Sequence, residues 1–459
     1  MQLQKNQDKF NDLRNTYQDF VYEGFDYDFF DNELQIVFHF SIDDFVKFNP
    51  KIYIPKTGFL SHKHLSKDYI EYLIFHIGMI EMISYWKAIC PKRIIVKDFD
   101  LTEKQIAFWK KIYYHGLGEF FYLNNIQTNV DDFVEISCDS NRKFDAINLN
   151  LTDDCIIPVG GGKDSVVSLE LLKNRKGDNL ALIMNPRGAS TATANIAGFE
   201  DKTIIIKRVL DQELLELNKQ GFLNGHTPFS ALLGFITVLS ASLANKKYIA
   251  LSNESSANES TVIGTDVNHQ YSKSFEFEQD FRNYVHEFIS PDIEYFSLLR
   301  PISEFQIASL FAQSPQYFYD FKSCNAGSKQ NIWCGSCSKC LFTFIILSPF
   351  IEPQILEKIF GKNLLNDPEL MHYFNELTGI ADVKPFECVG TVDEVNSALC
   401  LSLIQYDENA LPVLLQAFKK YDKMSVCTSI DKAELLASIE KEHFLDQEFE
   451  DLLKTKIKH

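Results

Sequence analysis

The fold of this chain is set by one short segment, Pro158-Val159-Gly160-Gly161-Gly162-Lys163-Asp164-Ser165. An apolar run from Cys155 to Val159 leads into it and is typical of a buried strand, and a helical pattern from Asp164 to Lys173 follows. Consecutive glycines let the backbone approach a ligand closely and adopt positive φ. The first amides of the helix then point toward the loop at the positive end of the helix dipole. The segment therefore predicts an anion site at a strand-to-helix turn.

The side chains of this loop fit a phosphate better than a plain glycine turn. Lys163 and Ser165 supply donors, and Asp164 is suited to capping the helix or to holding Mg²⁺ among phosphates. The segment is not a Walker A loop, because Asp follows the lysine and the glycine spacing differs, and it lacks the GxGxxG pattern of dinucleotide sites. The predicted phosphate-binding residues are Gly160, Gly161, Gly162, Lys163, Asp164 and Ser165.

The loop resembles the SGGxDS loop of the PP-loop ATP pyrophosphatases, which cleave ATP to AMP and pyrophosphate. Members of that superfamily carry the loop directly after the first strand, as here. This chain departs at one position, because Gly160 stands where the superfamily has Ser. Leu299 to Glu304 and the helical pattern Phe305 to Phe311 resemble the segment that closes the nucleotide domain in several members. Those members usually carry a Lys or Glu inside that helix, whereas this chain has Gln306.

Short apolar runs alternate with helical patterns after the loop, and this alternation predicts βαβ units and a mostly parallel sheet. A long helix is predicted from about Pro228 to Asn245, with Thr227 as its N-cap and Pro228 at its first position. In such sheets a ligand lies beyond the carboxyl ends of the strands. The predicted strands after the first are Ala181 to Met184, Thr203 to Lys207 and Tyr248 to Leu251.

The chain of 459 residues is too long for one ordinary core, and three zones predict three domains. Residues 1–150 mix strand and helix patterns and predict an α+β domain that covers the substrate or forms a dimer. Residues 151–347 predict an α/β domain of the PP-loop, HUP-like type, and residues 348–459 a mainly helical region. In the first zone the predicted strands are Leu34 to Phe40 and Arg93 to Val96, and the predicted helices are Asp68 to Lys87 and Glu103 to Tyr114.

The composition favours a small-molecule substrate. The formal net charge of −18 argues against DNA or RNA as the main partner, because binding a phosphate backbone usually requires a basic face. The sequence has no apolar run of the roughly 18 residues that a membrane helix needs. The polar segment Met1 to Arg14 is unlike a secretory signal. The simplest prediction is a cytoplasmic enzyme without a membrane or nucleic-acid partner.

Four of the ten cysteines are clustered. The spacing Cys324-x9-Cys334-x2-Cys337-x2-Cys340 offers four thiolates suited to one tetrahedral Zn²⁺. Four protein ligands leave no open position, so a structural metal is predicted, and an iron–sulfur cluster is the alternative. The other cysteines are scattered singly, which predicts a reducing compartment without a disulfide framework. They are Cys90, Cys138, Cys155, Cys388, Cys400 and Cys427.

Four further segments are more specific than the loop. Together they resemble the bacterial family of UDP-N-acetyl-α-D-muramoyl-L-alanyl-L-glutamate epimerases, clearly from about residue 150 onward and loosely before it. The resemblance implies a peptidoglycan-precursor enzyme that uses ATP and Mg²⁺ and inverts the terminal L-Glu of a UDP-linked muramoyl dipeptide to D-Glu, releasing AMP and pyrophosphate. The segments are Asn224 to Phe229, Ser252 to Glu259, Asn268 to Ser274 and Lys384 to Gly390.

This implied reaction needs a group that moves the α-proton of the glutamate. The candidate bases are His226, His269, Lys273 and Cys388. An imidazole has an ordinary pKa of about 6.5 and is therefore a fit base, but packing, helix capping or a phosphate contact can also explain such residues. Asn253 and Glu254 follow the predicted fourth strand, where they are placed to contact adenylate, Mg²⁺ or the amino acid. A plain polar loop is the alternative there.

Three other functions compete with the epimerase. A tRNA-modifying adenylase would share the fold but would need a basic RNA-binding face. A synthase of the 7-cyano-7-deazaguanine type shares the order of PP-loop first and clustered cysteines later, and it would need ammonia. A non-catalytic nucleotide-binding scaffold is the third alternative, and it has no evident use for the polar residues after Leu251.

Overall fold

The structure, a computed structural model, describes residues 2–57, 60–262, 264–421 and 427–457. The strands are β1 (Asp19–Phe29), β2 (Glu33–Ile42), β3 (Val46–Phe48), β4 (Lys51–Pro55), β5 (Arg93–Val96), β6 (Glu135–Cys138), β7 (Thr152–Pro158), β8 (Leu180–Met184), β9 (Thr203–Val209), β10 (Lys246–Leu251) and β11 (Glu294–Ser297).

The helices that precede β10 are α1 (Gln2–Thr16), α2 (Lys67–Glu81), α3 (Ile83–Trp86), α4 (Glu103–Gly116), α5 (Gly118–Leu123), α6 (Lys163–Leu172), α7 (Gly188–Ile196), α8 (Gln212–Lys219) and α9 (Phe229–Ala244). The later helices are α10 (Phe275–Phe288), α11 (Glu304–Ala312), α12 (Ser338–Leu347), α13 (Pro353–Phe360), α14 (Met371–Leu377), α15 (Val392–Leu403), α16 (Val413–Lys420), α17 (Lys432–Ala437) and α18 (Gln447–Ile457).

The strands form one sheet in the order β11-β10-β7-β8-β9-β4-β2-β1-β5-β6, with β3 beside β2. Strand β7 pairs in parallel with β10, and β5 pairs in parallel with both β1 and β6. Antiparallel pairing joins β2 to β1, β3 and β4, and joins β4 to β9. The predicted α/β class with a largely parallel sheet is confirmed, and the antiparallel strands belong mainly to the N-terminal zone.

The chain divides into two compact units that alternate along the sequence. The first unit comprises Met1–Ile156, Ile204–Ile249 and Asp266–Tyr295. The second unit comprises Ile157–Thr203, Ala250–Thr265 and Phe296–His459. Both units are therefore built from distant parts of the sequence, and four of the five points where the chain passes between them fall inside strands.

Helix α2 lies at the centre of the core of the first unit. The Ser66 hydroxyl caps it by accepting a hydrogen bond from the Tyr69 amide at 3.2 Å. From Tyr69 to Glu81 every residue except Glu71 is buried, as expected of a helix that is apolar on all sides. The helix packs against β1 and α9. Such aromatic-rich packing accounts for much of the 39 Phe and 19 Tyr of the chain.

In the second unit, helix α12 is buried at every residue and packs against α11, α14 and α15. Helix α11 also packs against α6, the helix that follows the glycine loop. The helices at the C-terminal end of the chain agree with the predicted helical region. Among the residues that the structure describes, no helix has both the length and the apolar character needed to cross a membrane.

Three local predictions are wrong. Helix α9 begins at Phe229, and Pro228 takes the N-cap position without a side-chain cap from Thr227, whose carbonyl accepts the Phe229 amide at 2.7 Å. The single helix predicted from Asp68 to Lys87 is divided at Met82 into α2 and α3. Cys400 and Cys427, predicted as single cysteines, form a disulfide, because the fold brings their α-carbons to 5.2 Å.

A buried ion pair supports the core of the first unit and can be tested by mutation. Arg208 Nε donates to the two Glu81 oxygens at 3.0 and 2.8 Å, and Glu81 is completely buried. Burial raises the pKa of Glu81, and the guanidinium opposes that rise. Arg208→Met should lower the free energy of unfolding by about 3–5 kcal/mol, because it leaves a buried carboxylate unpaired. The loss should be smaller at pH 5 than at pH 9, since protonation of Glu81 relieves it.

Urea unfolding followed by circular dichroism measures this loss. The control is the double variant Arg208→Met with Glu81→Met, which removes both charges and should be clearly more stable than the single variant. Equal stability of the two variants would contradict the role given to the pair.

Candidate active site

The glycine loop connects β7 to α6 in the second unit. Gly161 has φ +90°, and a Cβ added there would lie 2.5 Å from the Ser190 amide nitrogen at the start of α7. A non-glycine residue is therefore excluded at this position by both conformation and space. At Gly160, by contrast, no atom of the described chain lies within 4 Å of an added Cβ. The loop is thus closely packed on one side and open at Gly160.

Helix α6 begins at this open side. Gly162 occupies its N-cap position, and among the described residues no side chain caps the helix. Its first amides are therefore suited to an anion, which is the usual partner of an uncapped helix N-terminus. Ser165 braces the loop, because its hydroxyl accepts the Gly161 amide at 3.1 Å and donates to the Gly162 carbonyl at 3.0 Å. The amides, rather than the Ser165 hydroxyl, are the donors that the loop presents.

Lys163 is buried beside two carboxylates. Its ammonium group forms ion pairs with Asp164 and Glu304. Burial lowers the pKa of Lys163, but the two carboxylates outweigh it and the net shift is upward, so the side chain stays charged. Burial raises the pKa of Glu304, the Lys163 ammonium opposes that rise, and Asp164 and Glu254 add to it. Charged side chains of both signs are thus buried beside the glycine loop.

Three carboxylates meet at this point. Ligand atoms of Asp164, Glu254 and Glu304 lie within 4.8 Å of one another. With one ammonium among three carboxylates the group keeps an excess of negative charge. Carboxylate oxygens are the ligands that a hard divalent cation such as Mg²⁺ prefers, so the donor set fits that ion. Such a cation would supply charge neutralisation between these carboxylates and a polyphosphate.

The residues after β10, which the sequence predicts to contact adenylate, Mg²⁺ or the amino acid, include one carboxylate of this cluster. Glu254 follows the strand, and its carbonyl accepts a hydrogen bond from Arg300 Nη1 at 2.6 Å. Asn253 is buried, and its Nδ2 donates to the Ser297 hydroxyl at 3.1 Å. Arg300 is itself almost fully buried. Asn253 therefore fixes the backbone, whereas Glu254 adds a carboxylate to the group at Lys163.

Glu304 was missed by sequence reasoning, which considered Gln306 in the same helix. The structure gives Gln306 a structural role, since its Oε1 accepts the Ser303 amide at 2.9 Å and the Ser303 hydroxyl accepts the Gln306 amide at 3.2 Å. This capping box starts α11. The box was visible as Ser303-x-x-Gln306 and places Glu304 in the first helical turn. Which way its side chain points depends on packing that sequence does not reveal.

The four clustered cysteines converge as predicted. The sulfur–sulfur distances are 3.8 Å for Cys324–Cys337, 3.7 Å for Cys334–Cys340 and 3.5 Å for Cys337–Cys340. An ion bound at about 2.3 Å by four sulfurs at the corners of a tetrahedron requires sulfur–sulfur distances of about 3.8 Å. All four sulfurs lie within 4.8 Å of one another. The donor set therefore fits one Zn²⁺, and a cluster of several irons would need wider spacing.

Three of the four candidate bases meet in the first unit. His226 and His269 have ring centroids 4.5 Å apart, and both contact Glu119. Burial, followed by the charges of His269, Lys87 and Lys273, lowers the pKa of His226 to about 4, against the opposing effect of Glu119. His226 is therefore neutral at pH 7. Lys273, in a short 3₁₀ turn after His269, belongs to the same charged group.

Cys388, the fourth candidate, belongs to the second unit and is half-buried. Its neighbour Glu387 accepts a hydrogen bond from Asn325 Nδ2 at 2.8 Å, next to the first cysteine of the cluster. Lys384 in the same segment forms an ion pair with Glu259. The conspicuous segment from Lys384 to Gly390 is thus tied to the cysteine cluster and to the polar loop after β10.

Glu119 was also missed by sequence reasoning. It lies in the first turn of α5 and is 150 positions from His269 in the sequence. No motif surrounds it, and only the fold brings it to the two histidines.

A glycine-rich, uncapped strand-to-helix loop with a buried lysine and three carboxylates defines an α/β protein with an anion site at the end of a sheet strand. Two family models match the chain, described as the MurL N-terminal domain over residues 11–298 and the MurL C-terminal domain over residues 320–431. No solved structure matches the chain.

Relatives named UDP-N-acetyl-alpha-D-muramoyl-L-alanyl-L-glutamate epimerase occur in three bacteria. The protein of Xanthomonas oryzae pv. oryzae is 36% identical over 73% of this chain and 76% of its own length. That of a Micromonospora species is 36% identical over 72% of this chain and 73% of its own. That of Salinispora tropica is 34% identical over 72% of each chain. The chain belongs to this epimerase family.

The first two glycines of the loop give a matched pair of variants. Gly161→Ala should lower the free energy of unfolding by roughly 2 kcal/mol or more, because it combines a left-handed backbone with a steric clash. Gly160→Ala should change it by less than about 0.5 kcal/mol, since the added methyl meets open space. Urea unfolding of both variants measures the difference, and a Gly161→Ala variant as stable as the wild type would contradict the described loop.

The cysteine cluster is tested by its metal content. Cys337→Ser should weaken metal binding by roughly 100-fold or more, because one of four ligands is lost. The melting temperature should fall with it. Inductively coupled plasma mass spectrometry after dialysis measures the ion, and Cys138→Ser, which alters a thiol outside the cluster, should retain it. Equal metal content in both variants would show that the cluster does not hold the ion.

Proposed function

We propose that this chain epimerises the terminal L-Glu of UDP-N-acetylmuramoyl-L-Ala-L-Glu to D-Glu and consumes ATP in an acyl-adenylate mechanism. The names of the related proteins support the substrate and the inversion. The observation that carries the ATP step is the loop at Gly160 to Gly162, with its uncapped helix and the Lys163 cluster. The products are AMP, pyrophosphate and the D-Glu epimer.

The need for ATP follows from electrostatics. Removing the α-proton beside an ionised carboxylate would place two negative charges on adjacent groups, and their repulsion makes such a dianion very costly. In the first step a carboxylate oxygen bonds to the α-phosphorus of ATP, and pyrophosphate leaves. The mixed anhydride no longer carries the carboxylate charge. The electrons left by the α-proton can then delocalise into its carbonyl group.

The remaining steps restore the carboxylate. A base removes the α-proton, and an acid returns a proton to the opposite face of the carbon. Water then attacks the acyl carbonyl, AMP leaves, and the glutamate carboxylate re-forms. The atoms balance, because the oxygen lost to AMP is replaced by the oxygen of water.

The residues of the second unit are assigned to the nucleotide. The first amides of α6 bind the phosphates, and the Lys163 ammonium adds positive charge at the same point. Asp164, Glu254 and Glu304 would hold Mg²⁺, whose charge would offset that of the pyrophosphate leaving group. The cysteines are assigned a structural Zn²⁺ that holds together the segment around Cys324 to Cys340.

The residues of the first unit are assigned to the proton. His226 and His269 are the preferred bases among the candidates, because they lie together with a carboxylate and His226 is neutral. The ammonium group of Lys273 adds positive charge that suits an anionic substrate. Cys388 lies with the cysteine cluster segment and is the weaker candidate.

Turnover in D₂O tests the proposed function. The chain, UDP-N-acetylmuramoyl-L-Ala-L-Glu, ATP and Mg²⁺ should yield AMP, pyrophosphate and a dipeptide with deuterium at the glutamate α-carbon. Mass spectrometry of the dipeptide measures the deuterium. Chiral analysis of the glutamate, after hydrolysis of the dipeptide, measures the inversion. Unlabelled, unchanged dipeptide would refute the proposal.

Asp164→Ala links this turnover to the loop. The variant should lose at least about 100-fold in kcat, because the charge cluster that positions the phosphates is broken. The control Asp153→Ala removes an exposed carboxylate from β7 and should keep normal turnover. Full activity of the Asp164 variant would contradict the assignment of the loop.

A further inference from the structure

A single carboxylate oxygen serves both histidines of the first unit. Glu119 Oε2 lies 3.5 Å from His226 Nδ1, and it also forms a hydrogen bond with His269 Nδ1. The Glu119 and His269 side chains are only 12% and 14% exposed, and that of His226 is 24% exposed. The two rings and the carboxylate thus form one compact group, built from the start of α5 and the segments before α9 and α10.

The spacing of the rings excludes one common arrangement. Inversion with two bases places one base on each face of the α-carbon, and each reacting nitrogen must come within about 3–3.5 Å of the carbon. Two nitrogens on opposite faces are therefore roughly 6–7 Å apart, with their ring centres farther apart still. The observed centroid distance is 4.5 Å. No carbon fits between the rings, so the two histidines cannot serve opposite faces.

The charges around the pair favour proton transfer over metal binding. Lys87 and Lys273 both act on His226, and the Lys87 ammonium donates a hydrogen bond to the Gly225 carbonyl next to it. Both ammonium groups repel a divalent cation and attract an anionic substrate. The other groups acting on Lys87 are Arg208 and Cys90. The surroundings thus suit a carboxylate-bearing peptide.

We propose that Glu119 is a positioning residue that holds His226 and His269 as one proton-handling pair, and that this pair serves a single face of the glutamyl α-carbon. The inference rests on the proposed function. One imidazole accepts the α-proton while the other keeps its hydrogen bond to Glu119, and the electron pair moves into the acyl carbonyl. The proton delivered to the opposite face comes from a donor outside the pair.

Exchange measured separately from the two epimers tests this arrangement. The L-Glu and D-Glu forms of the UDP-linked dipeptide are each incubated with ATP, Mg²⁺ and D₂O, and initial α-deuteration is followed by mass spectrometry. His226→Gln and His269→Gln should both slow exchange of the same epimer by at least tenfold more than exchange of the other. If one variant impaired the L form and the other the D form, the histidines would serve opposite faces and the proposal would fall.

Glu119→Gln tests the positioning role. It should impair the same epimer as the histidine variants, lower kcat by tenfold or more with little change in KM, and move the acidic limb of the pH profile to lower pH. The shift has this sign because the negative charge of Glu119 raises the pKa of His226. Glu119→Asp should restore part of the rate and of the profile. An unchanged pH profile in Glu119→Gln would reduce Glu119 to a structural residue and overturn the proposal.

Two controls separate the possible failures. Glu135→Gln changes an exposed glutamate of β6 and should leave exchange and pH profile unaltered.

AMP release by the wild type reports the adenylation step, so its absence refutes the proposed function. If the wild type exchanges normally but the variants do not show the predicted changes in exchange, only the proposal for the histidine pair is refuted. A transition-metal ion retained by the wild type and the Cys337→Ser variant but lost from both histidine variants would make the cluster a metal site and overturn the proposal. Thermal melting verifies folding, and Glu119→Asp replaces Glu119→Gln if the latter unfolds.

Discussion

The close approach of two backbone segments at Gly161 is the constraint on which the proposed nucleotide site depends. The start of α7 lies against this glycine so tightly that a methyl group would meet the Ser190 amide nitrogen at 2.5 Å. This contact closes one side of the loop, whereas Gly160 faces open space. The loop is braced internally by Ser165, so its amides are positioned before a ligand arrives. Such preorganisation limits the entropy that anion binding costs.

The charged side chains beside the loop are the second feature of this site. Amides alone stabilise an anion modestly, and the chain adds a buried ammonium that is paired with Asp164 and Glu304, with Glu254 close to both carboxylates. Carboxylates repel a neighbouring polyphosphate unless a divalent cation lies between the two. The grouping of these carboxylates therefore fits a site for such a cation. In the first unit Glu119, Lys87 and Lys273 all act on His226, which lies beside His269. The two clusters therefore suit opposite tasks, binding a polyphosphate with its cation and moving a proton.

The elements that follow from local pattern were predictable from sequence. The strand before the glycine loop, the helix after it, the later strands and the convergence of Cys324 with Cys334, Cys337 and Cys340 all rest on periodicity, glycine chemistry or ligand spacing. Glu304 and Glu119 were not predictable, since a carboxylate in the first turn of a helix usually serves only the helix dipole. Each gains its partner through a contact between segments 141 or 150 positions apart. The Cys400–Cys427 disulfide was missed for the same reason.

In the proposed mechanism a carboxylate oxygen is transferred to phosphorus, and an isotope label can follow this step. The dipeptide carries ¹⁸O in both oxygens of the glutamate α-carboxylate and reacts with unlabelled ATP in unlabelled water. An acyl-adenylate predicts one ¹⁸O in the phosphate of the AMP released. It also predicts one ¹⁸O and one unlabelled oxygen in the glutamate α-carboxylate of each epimerised dipeptide, and mass spectrometry measures both. Epimerised dipeptide that keeps both labels, together with AMP that contains none, would contradict the mechanism.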